Sequence, residues 1–132
     1  MRSIVFIALT AIAVSVSSVG IAAHHSYAEF QDHTTSLEGS IVAVSFGNPH
    51  TILTLRTADG TRYTATWNAG FQLVSMGVKT TDLKAGDEVV ITGFPHRNPQ
   101  THEMAKLREV RRPSDGWMWK MENGRATVTA SH

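Results

Sequence analysis

The stretch Leu37-Glu38-Gly39-Ser40-Ile41-Val42-Ala43-Val44-Ser45-Phe46-Gly47-Asn48-Pro49-His50 reads as one long, bent β-strand that feeds a tight loop ending on a histidine. Ile41, Val42, Val44 and Phe46 are β-branched or aromatic and suit a buried, pleated surface. Gly39 interrupts the apolar run near its start, the mark of a bulge or sharp bend. Ile41 and Val42 are apolar neighbours, so the inward face changes partway along. A strand shared between two halves of a small barrel requires that change. Pro49 has no N–H to give to a ladder and stops the strand.

Downstream, residues 51–57 form a second strand, in which Leu53 and Leu55 alternate with Thr54 and Arg56. Ala58-Asp59-Gly60-Thr61 is a hairpin turn, since Asp-Gly tolerates the positive φ that tight hairpins need. The third strand, 62–67, puts Tyr63, Ala65 and Trp67 on one face. Asn68 is placed to cap a helix of one or two turns over 71–76, with Phe71, Val74 and Val78 on a shared side. Gly77 ends that helix in a left-handed cap. Leu83-Lys84-Ala85-Gly86-Asp87 turns into a fourth strand over 88–94. A loop with two prolines, 95–101, leads to a fifth strand over 102–110, and Trp117-Met118-Trp119 lies back on the barrel as a short strand.

Strand, strand, strand, short helix, strand, strand is the order of the oligonucleotide/oligosaccharide-binding (OB) barrel, a five-stranded Greek-key fold. The expected class is therefore all-β with one short helix, in a five-stranded OB-like barrel. An immunoglobulin-like sandwich needs about seven strands and has no use for a helix after Trp67.

The first 23 residues read as a secretory signal peptide rather than as part of the fold. Arg2 gives a positive start, Ile4 to Val16 is an apolar run short for a bilayer, and small residues follow up to Ala23. The expected organisation is a signal peptide over 1–23, a leader over 24–36, a barrel over 37–122 and a polar, fraying tail over 123–132. The expected location is periplasmic or secreted, with no stable membrane insertion after signal cleavage. With no cysteine in the chain, disulfides, thiolate metal sites and a lipid-anchored N-terminus are excluded. Removing 23 of 132 residues leaves 109, enough for one domain. Loss of Arg2 takes the net charge from +1 to zero, which argues against a nucleic-acid partner.

Two loops of an OB barrel meet ligands, those joining strands one to two and four to five. Here they are Gly47-Asn48-Pro49-His50 and Pro95-His96-Arg97-Asn98-Pro99. Each carries a Pro-His pair, which places His50 and His96 at one end of the barrel. Imidazole is a common ligand for copper, zinc and nickel. Signal processing decides the chemistry of His24 and His25. Cleavage after Ala23 makes His24 the first residue, whose amine and ring nitrogen chelate one copper ion. Cleavage after Ala22 leaves Ala23-His24-His25, whose amine, backbone amides and third-position imidazole wrap Cu(II) or Ni(II) in a square plane. Twelve residue steps from His25 to Leu37 span up to about 40 Å, so the leader is able to reach the loops. No cysteine nucleophile or convincing Ser-His-acid set is present, so no catalysis is expected. The run Lys106, Arg108, Arg111, Arg112 reads as a solvated face.

Taken together, His24-His25-Ser26, Glu29-Phe30, Leu37-Glu38-Gly39, Asn48-Pro49-His50 and Leu83-Lys84-Ala85-Gly86-Asp87 resemble the pattern of a family of exported bacterial proteins known only as a domain of unknown function. The likeness covers about residues 24–116. Ala85 stands where that pattern usually has proline, Phe46-Gly47 replaces a Trp-Thr or similar pair, and the tail is extended. The resemblance implies an exported single domain and supplies no activity. Two functions follow as expectations. The first is a non-enzymatic periplasmic protein that binds Cu(II), or nickel or zinc, through His24 and His25 with His50 or His96. The second is an envelope module that takes a glycan or a partner protein through Asn48, His50, His96 and Arg97.

Overall fold

The computed structural model describes residues 27–130, so the segment expected to be a signal peptide and His24-His25 lie outside the described residues. Among the described residues seven strands follow one another: β1 (Thr35–Ser45), β2 (Ile52–Arg56), β3 (Arg62–Thr66), β4 (Glu88–Pro95), β5 (Glu103–Arg112), β6 (Trp117–Glu122) and β7 (Arg125–Thr129). One helix, α1 (Gly70–Ser75), separates β3 from β4. The sheet order is β3-β2-β1-β4-β5-β6-β7, and a parallel β3–β5 pairing closes its first five strands into a barrel. This is the expected OB-like topology, with a β6–β7 hairpin added at the β5 edge. Among the described residues no helix is long and apolar enough to cross a membrane.

Strand β1 does what its sequence requires. Its first half, Thr35 to Ser40, pairs with β4, and its second half, Ser40 to Ser45, pairs with β2. The register slips between Ile41 and Ala43, so the bulge sits at Val42 and not at Gly39. Before the slip Gly39 and Ile41 point inward; after it Val44 and Phe46 pack on the core. Gly39 serves close approach instead. A Cβ there would lie 2.8 Å from the Arg56 carbonyl oxygen, where the two partner strands crowd β1.

The barrel interior holds Leu53, Leu55, Val89, Ile91 and Val110 with no exposed surface. Burial of such side chains, about 1.5–3 kcal/mol each, is the main stabilising term. Trp67 and Trp119 meet edge to face in this core, centroids 5.0 Å apart. Trp119 belongs to β6, so the hairpin beyond the five-stranded barrel belongs to the packed core. The tail expected from Asn123 is corrected accordingly. Five residues of β7 pair with β6, and Ala126 and Val128 pack against the core cluster. Alternation in Arg-Ala-Thr-Val-Thr is too weak and polar to announce a strand. Its partner, β6, is what makes it one.

The helix is also turned relative to expectation. Ala69, not Asn68, occupies the N-cap position. Leu73 and Val78 are buried, while Phe71 and Val74 are 66% and 55% exposed. The segment has two apolar faces, so periodicity alone does not choose between them. Gly70 chooses, because its backbone docks on the Phe46 ring and its N–H donates to the Gly47 carbonyl (2.8 Å). The exit follows the sequence: Gly77 takes φ +97° and the Val78 N–H returns to the Leu73 carbonyl (2.9 Å).

Candidate functional site

The leader before β1 is not an irregular arm. Tyr27–Glu29 is a 3₁₀ turn, and Phe30 forms an isolated bridge with His96. The Gln31 N–H donates to the Pro95 carbonyl and the Arg97 N–H to the Glu29 carbonyl, both at 2.8 Å. Arg97 Nε donates to the Ala28 carbonyl at 2.9 Å, and the Phe30 ring stands edge-on to His96 at 5.2 Å. The loop between β4 and β5 thus holds residues 28–31 against the barrel. Further along, a hydrogen bond from His33 holds the exposed Asp32 carboxyl below its usual range.

His50 sits at the end of the loop between β1 and β2, next to Thr51, a fully buried polar residue of the core. The Thr51 N–H donates to the Asn68 carbonyl (3.0 Å) and its own carbonyl accepts from the Trp67 N–H (2.8 Å), which fixes the backbone beside His50. The His50 ring lies half-buried in the wall between two concavities. One, of about 200 Å³, is shared with Tyr27, Glu29, Phe30 and Glu103. The other is a groove of about 530 Å³ bounded by Tyr27, Phe71, Lys106 and Met121. Among the described residues the His50 ring makes no hydrogen bond, so both nitrogens remain available to a ligand.

The other loop residues have internal partners. His96 Nδ1 accepts from the Asn98 N–H at 2.9 Å, so the neutral ring carries its proton on Nε2, which faces Glu29 Oε2 at 3.9 Å. Binding a metal through Nε2 would move the proton to Nδ1 and set it against the Asn98 N–H. Asn48 Oδ1 accepts from the Phe71 N–H at 3.2 Å and supplies the helix-end acceptor that Ala69 lacks. The Asn48–Pro49 peptide is cis. Arg97 spends its Nε on the leader. His102, expected to open the fifth strand, is instead the left-handed end of the turn Pro99–Thr101, its ring 5.1 Å from Tyr63.

Residues 11–106 match the profile of DUF6152, a family of unknown function. The chain belongs to DUF6152. The matched segment takes in the leader, both Pro-His loops and the barrel as far as Lys106 in β5, and stops before the β6–β7 hairpin. No curated protein matches the chain. In this DUF6152 protein His50 and Tyr27 share both concavities, while His96 is held in the leader-docking contact between them and the loop. Among the described residues no three His, Asp or Glu side chains gather closely enough to hold a metal ion on their own. Tyr27 and Lys106 were invisible as site residues in the sequence, because what places them is the docked leader and a bulge in β5, neither of which leaves a local pattern.

Proposed function

We propose that this DUF6152 protein is a non-enzymatic periplasmic metal-binding protein, for Cu(II) first, that sequesters or delivers the ion through His24 and His25 with His50 as the further ligand. One observation carries the reading. Tyr27, two residues after His25, lines the same concavities as His50. At no more than about 3.6 Å per residue, the histidine pair begins within a short reach of the His50 ring. The unbonded His50 imidazole is the right donor for copper, and nitrogen-rich sets of this kind favour Cu(II) and Ni(II). His96 fits a positioning role better than a ligand role, since it holds Glu29 and Phe30 where the leader docks. The envelope-module reading is weaker at these loops, because Asn48, His96 and Arg97 already serve the fold.

The test begins with an intact mass of protein recovered from the periplasm, which fixes the first residue. A Cu(II) titration followed by visible absorption should then give one ion per chain. His24→Ala with His25→Ala should abolish that binding, and His50→Ala should weaken it by roughly tenfold or more, the loss of one donor. Unchanged copper binding in the His24/His25 double variant would refute the ligand assignment.

A further inference from the structure

The groove of about 530 Å³ lies within the range of small-molecule sites. Its lining has a consistent chemistry. Tyr27, Phe71 and Trp67 give it aromatic surface, Lys106 and Arg108 give it positive charge, and among the described residues no carboxylate lines it. Phe71 is 66% exposed and Tyr27 50%, so both rings present open aromatic surface at the groove.

The two cations arrive there through a specific backbone feature. Between β4 and β5 the register shifts, so that Lys106, Leu107 and Arg108 stand opposite the single residue Gly93. Lys106 takes φ 48°, a left-handed conformation that residues with a side chain rarely adopt. Bulges of this kind re-aim side chains, and such outliers cluster at binding sites. Gly93 is part of the device. A Cβ there would lie 2.8 Å from Leu107 Cδ2 and 2.9 Å from Met104 Cγ.

Among the described residues neither cation has a carboxylate partner. Lys106 Nζ rests 3.6 Å from the centre of the Tyr27 ring, and the Arg108 guanidinium 5.6 Å from that of Phe94. Their neighbours on the same sheet behave differently. Arg111 pairs with Glu109, Arg112 with Asp87 and Asp115, and Lys120 with Glu122. Lys106 and Arg108 border both this groove and a smaller concavity of about 180 Å³ that Phe94 and Asp32 line. On the groove side, where no described carboxylate lies, the two cations and the aromatic walls complement a flat organic anion.

We propose that this groove binds a small aromatic carboxylate, whose carboxylate is taken by Lys106 and Arg108 and whose ring lies against Phe71 and Tyr27. The site shares Tyr27 and His50 with the proposed metal site but does not need the metal, because the two cations and Phe71 supply it without the N-terminal histidines.

The test is a titration of the ¹⁵N-labelled protein in EDTA, followed by amide chemical shifts, with four probes: 4-hydroxybenzoate, its uncharged amide, inorganic phosphate, and phosphatidylglycerol vesicles. With 4-hydroxybenzoate the amides of Phe71, Gln72, Lys106 and Arg108 should shift saturably. The dissociation constant should fall in roughly the 10 µM–1 mM range that about ten heavy atoms support. The amide, Lys106→Ala and Arg108→Ala should each weaken binding by roughly tenfold, and Lys106→Arg should retain it. Arg125→Ala, a cation outside the groove, should change nothing. Because Lys106 also rests on Tyr27, Arg108→Ala decides the matter if Lys106→Ala disturbs the leader. The proposal is overturned if 4-hydroxybenzoate gives no saturable shift, if the amide or phosphate binds as well, if Arg108→Ala binds normally, or if only vesicles perturb these residues.

Discussion

Replacing Arg112 by methionine should destabilise this protein by about 2–3 kcal/mol at neutral pH, and the deficit should shrink in acid. The guanidinium donates from Nη1 to Asp87 Oδ2 (2.8 Å) and to the Asp82 carbonyl (2.6 Å), and from Nε and Nη2 to the two Asp115 oxygens (3.0 and 2.9 Å). It thereby ties the end of β5 to the turn before β4. The Arg112 and Asp87 side chains are only 13% and 10% exposed, whereas Asp115 is 31% exposed. Asp115 can therefore return to water at little loss, about 0.5 kcal/mol. Asp87 cannot. It keeps bonds from the Lys84 N–H and Nζ (3.1 and 3.2 Å) but loses a charge-assisted bond of about 1.5–3 kcal/mol. Methionine preserves much of the stem volume beside Trp117, so the loss is of charge and hydrogen bonds rather than of packing.

The pH dependence follows from Asp87. Burial pushes its carboxyl up, but bonds from Lys84 and Arg112 outweigh burial and hold it below its usual range. A carboxyl depressed in the folded state stabilises fully above its unfolded pKa, about 4, and that contribution is lost as pH falls through the folded value. In the methionine variant the Arg112 charge is gone, leaving Lys84 alone against burial, so acid relieves the variant more than the wild type. Urea unfolding followed by tryptophan fluorescence, at about pH 7 and about pH 3, measures both gaps. A loss under about 0.5 kcal/mol at neutral pH, typical of a surface pair, would refute the argument. So would a deficit as large in acid as at neutrality.

Other expectations follow from the same contacts. Gly93→Ala forces a Cβ onto Leu107 and Met104 and should cost about 1–3 kcal/mol in chemical denaturation; an unchanged midpoint would mean the β5 bulge is soft. Ending the chain after Asn123 removes β7 and uncovers part of the packing around Trp119. Melting should fall by about 10 °C or more, while a fraying tail would leave it unchanged. Asn48→Ala strips the acceptor from the Phe71 N–H and should cost about 1 kcal/mol, measured by urea unfolding, with copper binding unaffected. Tyr27→Ala, by contrast, should leave the barrel's stability within about 0.5 kcal/mol, because Tyr27 is half exposed. The same variant should quicken amide exchange in the leader, where Lys106 no longer has a ring to rest on.

How far a sequence reading reaches is visible strand by strand. Alternation in Leu53 and Leu55, the Asp59-Gly60 turn and the two-sided run at Ile41-Val42 each encode local geometry, and the barrel follows from them in order. Local patterns of this kind depend on near neighbours, so they can be read without the fold. Strand β6 could be read at Trp117-Met118-Trp119, but β7 could not, since it gains its apolar character only from the partner strand and the core it covers. The outward turn of Phe71 depended on Gly70 meeting Phe46, residues 24 positions apart in the chain. The same holds for the candidate sites. Composition excluded thiolate chemistry, and the Pro-His loops marked His50 and His96 as candidates. Only tertiary contacts separated a ring with both nitrogens unbonded from one whose Nδ1 is taken by Asn98, and only the docked leader and the β5 bulge brought Tyr27 and Lys106 to the groove. A chain spells out which residues alternate and where it turns; which distant side chains then meet is decided by packing, through contacts that no short window of sequence contains.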